Sequence, residues 1–171
     1  VSLLAPISEE MASANALLPY VLRRGTERCP DMETLSAALD ELYGGSIEPM
    51  VRKKGETQAV GFAASFVDDA FAPGDTRILE SAAGLLGDVL LRPAVSGGRF
   101  LAEYVEGERA NLVDRIHAQI NEKRSYSILR LTQEMCAGEP YGVDKLGDEA
   151  HAAAITVEAV SYTHLRAHET V

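Results

Sequence analysis

The fold is decided by residues 46–66, which read SIEPMVRKKGETQAVGFAASF. The stretches 46–52 and 57–66 favour extended structure, and residues 53–56 between them favour a turn, so together they predict a β-hairpin. Pro49 lies inside the first of the two strands. Because proline cannot donate a backbone hydrogen bond, the strand that contains it is expected at an edge of the sheet.

Outside this hairpin, the sequence predicts one further strand and several helices. The strand covers residues 1–7, and the helical patterns cover residues 12 or 15 to 24, 76–91, 99–122 and 126–136. Another helix opens at residues 30–31 and is stopped by Gly44 and Gly45, and Thr156 with Glu158 resembles the cap of a last one. The order β-α-α-β-β-α-α-α predicts an α+β fold, an antiparallel sheet packed on one face by helices.

Composition excludes several classes of protein. The 171 residues carry a net charge of −10, so a nucleic-acid partner is not expected. No apolar run approaches the roughly 20 residues that span a bilayer, so no membrane partner is expected either. The two cysteines are too few for a disulfide framework and predict reduced thiols in a cytoplasmic protein.

The end of the chain has a different character. Residues 160–170 read VSYTHLRAHET and resemble one reading frame of a sequencing adapter. We therefore predict that residues 160–171 are an artefactual tail outside the fold, and that residues 1–159 are a partial domain cut at both ends. On this interpretation His164 and His168 are no metal site despite their helical spacing, and the remaining His117 and His151 are expected at the surface.

Short motifs in a fixed order carry a family resemblance. They are LRRGT at residues 22–26, LYGGS at 42–46, LLRP at 90–93, the stretch 108–116, and PYG at 140–142. In this order they resemble the insulinase/pitrilysin-like metallopeptidases (inverzincins), which share the domain of the mitochondrial processing peptidase and bind zinc through His-x-x-Glu-His. The sequence at residues 121–124 and 135–142 resembles that of a bacterial subgroup associated with 5-aminopentanol modification of elongation factor P.

The resemblance places the zinc motif on residues that cannot perform its chemistry. Its three positions fall on Ala16, Pro19 and Tyr20, and the distal pair of glutamates on Glu108 and Arg115. Ala16 has no lone pair to offer, and Arg115 has only donors and a permanent positive charge. Pro19 cannot take a proton from zinc-bound water. The resemblance therefore implies a degenerate peptidase homologue with no catalytic residue, metal or cofactor.

Two structural expectations follow from these substitutions. Pro19 would remove a hydrogen bond from a helix interior, so we expect the first helix to begin near Asn15. Glu108 and Arg115 share a helix face with Val105 and Leu112. We expect Arg115 either to bond a carboxylate of a neighbouring element or to extend into solvent.

For the function, the resemblance implies an inactive subunit that forms a heterodimer with an active zinc-peptidase homologue. A bound peptide or protein substrate could pair with the backbone of the edge strand. Candidate positions are Ser46, Ile47, Glu48, Met50 and Val51. The alternatives are an active zinc metalloendopeptidase with a divergent ligand set, and a chaperone-like or scaffolding role for the fold without any peptidase partner.

Overall fold

The computed structural model describes the backbone of residues 1–74 and 76–169, and side chains as far as residue 164. Short 3₁₀ turns lie at Asp69–Phe71, Gln119–Asn121 and Pro140–Gly142. The strands and helices follow in the order β1 (Ser2–Pro6), α1 (Glu9–Leu22), α2 (Met32–Glu41), β2 (Ser46–Lys54), β3 (Thr57–Ser65), α3 (Ile78–Leu91), β4 (Val95–Ser96), β5 (Arg99–Phe100), α4 (Ala102–Ala118), α5 (Lys123–Met135), α6 (Glu149–Ala153) and α7 (Val157–Glu169).

The predicted hairpin forms and organises a three-stranded antiparallel sheet. β2 pairs with β3 along its whole length, with Met50 opposite Gly61 and Lys54 opposite Thr57. The turn between them contains Gly55 at φ +61°, a left-handed conformation that glycine adopts without strain. The strand order is β1-β3-β2, so the prediction that Pro49 marks an edge strand is confirmed.

The register also determines which backbone groups of β2 face outward. In a two-residue hairpin the residues that flank the turn, here Lys54 and Thr57, form a hydrogen-bonded pair. Because the pattern alternates, the even-numbered residues of β2 bond to β3, and the odd-numbered residues 47, 49, 51 and 53 point away from it. Pro49, which has no N–H, thus stands where no partner strand requires one.

One face of this sheet carries the core. Its largest buried side chains come from α1, β2 and β3, and they include Leu17, Ile47 and Phe62, each at most 1% exposed. On the opposite face of the sheet Leu4 of β1 is exposed. The predicted α+β class, with helices packed on one face of an antiparallel sheet, is therefore confirmed.

Helix α1 corrects the expectation about Pro19. The helix begins at Glu9, where the Ser8 side chain accepts a hydrogen bond from the Met11 N–H, and Pro19 lies within it. Proline removes only the N–H that would bond the carbonyl four residues earlier, that of Asn15. Burial of the α1 side chains outweighs this single loss, so the expected start near Asn15 is wrong.

Several other boundaries differ from the sequence patterns. Helix α3 begins at Ile78 rather than at residue 76. The predicted helix at 99–122 forms over 102–118 as α4, but Arg99 and Phe100 are strand β5, because Gly97 and Gly98 with positive φ turn β4 into β5. α4 ends at Ala118, and Gln119–Asn121 continues as a tighter 3₁₀ turn.

Helix α7 contains most of the adapter-like stretch. Thr156 caps it by accepting a hydrogen bond from the Ala159 N–H at 3.2 Å. Val160 and Thr163 are buried, and the His164 ring lies 5.5 Å from that of Phe100. A helical conformation does not identify the origin of a sequence, so the artefactual tail stays a prediction, and the side chain of His168 lies outside the described residues. No helix of the described chain is long and apolar enough to cross a membrane.

Candidate functional site

Helices α1 and α4 carry the positions that the resemblance assigns to the zinc motif and its distal glutamates. Ala16 and Pro19 of α1 are buried, and Ala16 is 0% exposed. Tyr20 is half-buried and contacts Arg115 of α4. The position assigned to the first ligand is therefore an alanine buried in the core.

Arg115 fills the centre of the degenerate site. Its guanidinium carbon lies 3.7 Å from the centroid of the Tyr20 ring, a cation–π arrangement. Its Nη2 donates to Oε2 of Glu108 at 2.9 Å. The expectation of a carboxylate from a neighbouring element is therefore wrong: the carboxylate belongs to the same helix, two turns away, and the neighbouring helix supplies an aromatic face.

Arg24 completes the cluster and was not a candidate in the sequence. Oε1 of Glu108 lies 2.7 Å from Nε and 2.6 Å from Nη2 of this residue, which follows the end of α1. In the predicted helix, which ran to residue 24, its spacing of four from Tyr20 is the signal that could have placed the two side chains on one side. We call Tyr20, Arg24, Glu108 and Arg115 the arginine cluster.

The charge of the arginine cluster is unfavourable for zinc. Two guanidinium groups face one carboxylate, so the cluster carries a net charge of +1, and both carboxylate oxygens are already bonded to arginine. Zinc requires imidazole, thiolate or carboxylate ligands with free lone pairs. Elsewhere, the described residues contain no group of three His, Cys, Asp or Glu side chains that could hold a metal ion.

The two histidines outside the adapter-like stretch lie at the surface and bond to acids near α6. His117 Nε2 lies 2.8 Å from Glu149, and His151 lies against Asp148, the N-cap of α6. The hydrogen bond to Asp148, with the charge of this carboxylate, raises the pKa of His151 above its ordinary value. Partial burial acts to raise the pKa of Asp148, but hydrogen bonds from His151 outweigh it and lower that pKa.

The candidate peptide-binding strand is only partly open. Ser46, Glu48 and Met50 bond to β3 through their backbones, which leaves Ile47 and Val51 of the five candidates facing outward. Arg23, the residue before Arg24, donates from Nε to the carbonyl of Ile47 at 2.7 Å and pairs with Glu48 at 3.1 Å. Further along, Lys53 donates to the carbonyls of Tyr141 and Val143.

Known proteins resemble the chain along nearly its whole length. No family model matches it. It is 36% identical over 162 residues to the Bacillus subtilis (strain 168) protein named "Probable inactive metalloprotease YmfF". The match covers 95% of this chain and 38% of that protein, so the chain spans well under half of its relative.

Solved structures share the fold. A conserved protein from Enterococcus faecalis V583 superposes with a TM-score of 0.86 at 23% identity, over 97% of this chain and 39% of that one. The peptidase M16 inactive domain from Pseudomonas fluorescens gives a TM-score of 0.65 at 15% identity, over 95% and 36%. The chain is a homologue of a probable inactive metalloprotease, with an M16-like (insulinase-like) fold, which confirms the resemblance at this level.

Proposed function

Because the chain has the M16-like fold and a relative described as a probable inactive metalloprotease, we propose that it belongs to a non-catalytic M16-like subunit. In this proposal the protein binds peptide or contributes structure, and an active zinc-peptidase homologue supplies the chemistry as its heterodimeric partner. The chain spans 38% of its relative, and the proposal rests on the cluster that α1 and α4 form within it.

One observation carries the proposal. Arg115, at the position that the resemblance assigns to a zinc ligand, is held over Tyr20 and bonded to Glu108. A dication and a guanidinium group repel each other at such a site. Even with Arg115 displaced, Ala16 offers no ligand atom and Pro19 no base.

Peptide binding would use the outer edge of β2. Val51 offers both its N–H and its C=O there, whereas Ile47 shares its carbonyl with Arg23 and Pro49 has no N–H. Backbone pairing of this kind needs no catalytic residue, so it is compatible with a degenerate site. We propose residues 47–53 as the peptide-binding edge, with Val51 at its centre.

The finer resemblance supports a more specific context. The sequence at residues 121–124 and 135–142 resembles that of a subgroup associated with 5-aminopentanol modification of elongation factor P. We propose that the protein contributes to that modification. The test is to delete its gene and to measure the modification of elongation factor P by mass spectrometry; an unchanged modification would contradict the proposal.

The decisive experiment measures metal and activity together. The full-length protein, purified without chelator, is assayed for zinc by mass spectrometry and for hydrolysis of an unstructured peptide. We expect background zinc and no hydrolysis. Stoichiometric zinc with hydrolysis that a chelator abolishes would establish the alternative, an active endopeptidase with divergent ligands.

A second measurement separates the inactive subunit from a scaffold without a peptidase partner. Affinity capture of the tagged protein from its own host should recover an active zinc-peptidase homologue in equal amount. Recovery of peptides or client proteins without such a homologue would favour the chaperone-like alternative.

A further inference from the structure

We infer that the arginine cluster binds a carboxylate group of a bound peptide. The inference deepens the proposed peptide-binding function and rests on it. The carboxylate could be the C-terminus of the peptide or an acidic side chain, and both present the same chemistry to a guanidinium group.

The first argument is an imbalance of charge. Among the described residues, Glu108 is the one carboxylate within 4.0 Å of either Arg24 or Arg115. It uses one oxygen for each arginine and has none to spare. The cluster therefore keeps one positive charge without a counter-ion from the described chain.

The second argument is the arrangement of that charge. The side chains of Arg24 and Arg115 are 32% and 31% exposed, whereas that of Glu108 is 9% exposed. The carboxylate thus forms the buried side of the cluster and the two cations form its accessible side. An anion that approaches from solvent meets the guanidinium groups first.

The third argument is an unused donor. Nη1 of Arg115 is buried and has no hydrogen-bond partner among the described residues. A buried donor without an acceptor is unfavourable, and the face of Tyr20 compensates for it only in part. Since the side chain is already one-third exposed, a small rotation would bring Nη1 to a carboxylate that supplies the missing acceptor.

The fourth argument connects the arginine cluster to the peptide-binding edge. Arg23 and Arg24 are consecutive; the first bonds the Ile47 carbonyl on β2, and the second bonds Glu108. A peptide on the outer edge of β2 therefore lies beside the segment that ends in the cluster.

The test uses fluorescein-labelled ten-residue peptides of Ala, Val and Thr, with binding to the full-length protein followed by fluorescence anisotropy. One peptide has a free C-terminal carboxylate, one has an amidated C-terminus, and one is amidated but carries a single internal Glu. We expect the amidated peptide without Glu to bind about tenfold more weakly than at least one of the others. The other two identify the source of the carboxylate.

Variants assign the preference to the cluster. Arg115→Gln lowers its net charge to zero and should remove the tenfold preference, whereas Glu108→Gln raises the charge and should increase the preference. Arg28→Gln is the matched control, since Arg28 also pairs with a buried acid, Asp88, but outside the cluster. It should leave the preference unchanged.

Each failure has a distinct meaning. Equal binding of all three peptides, or a preference that survives Arg115→Gln in a folded variant, would overturn the inference and leave the proposed function standing. If none of the three peptides binds, both the inference and the peptide-binding part of the proposed function are overturned. Zinc-dependent hydrolysis of the peptides would instead overturn the proposed function itself.

Discussion

The guanidinium group of Arg115 lies over the ring of Tyr20, 3.7 Å from carbon to centroid, and so joins α4 to α1 across the degenerate site. The resemblance assigns a zinc ligand to each of these two positions. In this chain a cation on α4 instead contacts an aromatic face on α1.

This relationship predicts the outcome of restoring ligands. In the double variant Tyr20→His/Arg115→Glu, an imidazole and two carboxylates would share the place of the arginine cluster. We expect zinc to rise from background to about one ion per chain, by mass spectrometry after dialysis. Either single variant is the control and should stay near background. Zinc in the unmodified protein would contradict the interpretation.

Glu108 should matter more for stability than an ordinary surface acid, since it neutralises two arginines and is itself buried. We expect Glu108→Gln to lower the free energy of unfolding by about 1–3 kcal/mol, measured by urea titration. Glu80→Gln in the exposed Arg77 pair is the matched control, with an expected loss below about 0.5 kcal/mol. Equal losses would show that the cluster adds nothing beyond a surface ion pair.

Arg23 should restrain the outer edge of β2. Its Nε donates a hydrogen bond to the carbonyl of Ile47, so Arg23→Ala should leave that carbonyl free to accept a hydrogen bond from another strand. We expect the variant to self-associate at lower protein concentration than the parent, by analytical ultracentrifugation. Arg99→Ala removes an exposed ion pair with Glu158 away from this sheet and should have no such effect. Unchanged self-association of Arg23→Ala would mean that the edge is closed by something else.

The contact between Asp148 and His151 should stabilise the start of α6 most strongly within a defined pH range. The raised pKa of His151 means that its contribution is complete below about pH 6.5 and is lost as the pH rises through the raised value. The lowered pKa of Asp148 means that its contribution is present above about pH 4 and is lost as the pH falls through the lowered value. The contact therefore stabilises most between about pH 4 and 6.5.

Titration by NMR checks this assignment. In the parent protein the His151 ring signals should titrate above pH 6.5. In Asp148→Asn, which keeps a side chain able to cap the helix, the pKa of His151 should fall toward the ordinary value. A pKa that does not move in this variant would assign the shift to Glu9 and Glu10 instead.

The sequence was most informative where one local rule acts alone. Pro49 predicts the edge strand, because only an edge accepts a residue without an N–H in a sheet. Gly55 sits in the predicted turn between the two strands. Each of these depends on backbone geometry within a few residues, so one sequence is enough.

Features that depend on packing were harder to predict from the sequence. Pro19 suggested a late helix start, whereas the burial of α1 overrides the local cost. The spacing of Glu108 and Arg115 placed them on one face without indicating that they bond each other. Arg24 reaches Glu108 across 84 positions of sequence, a contact that no local pattern contains.

Strand β2 also limits how this protein can change. Along one strand, the residues whose backbones face the free edge are those whose side chains face the helices, since both alternate with a period of two. Ile47 and Val51 therefore pack their side chains in the core and present their backbone groups at the free edge. Pro49 and Lys53 have the same backbone orientation but are only partly buried, so substitutions that change the edge with the least disturbance of the core fall on these two positions and, from outside the strand, on Arg23. How readily this edge pairs with other chains is thus adjustable at three positions.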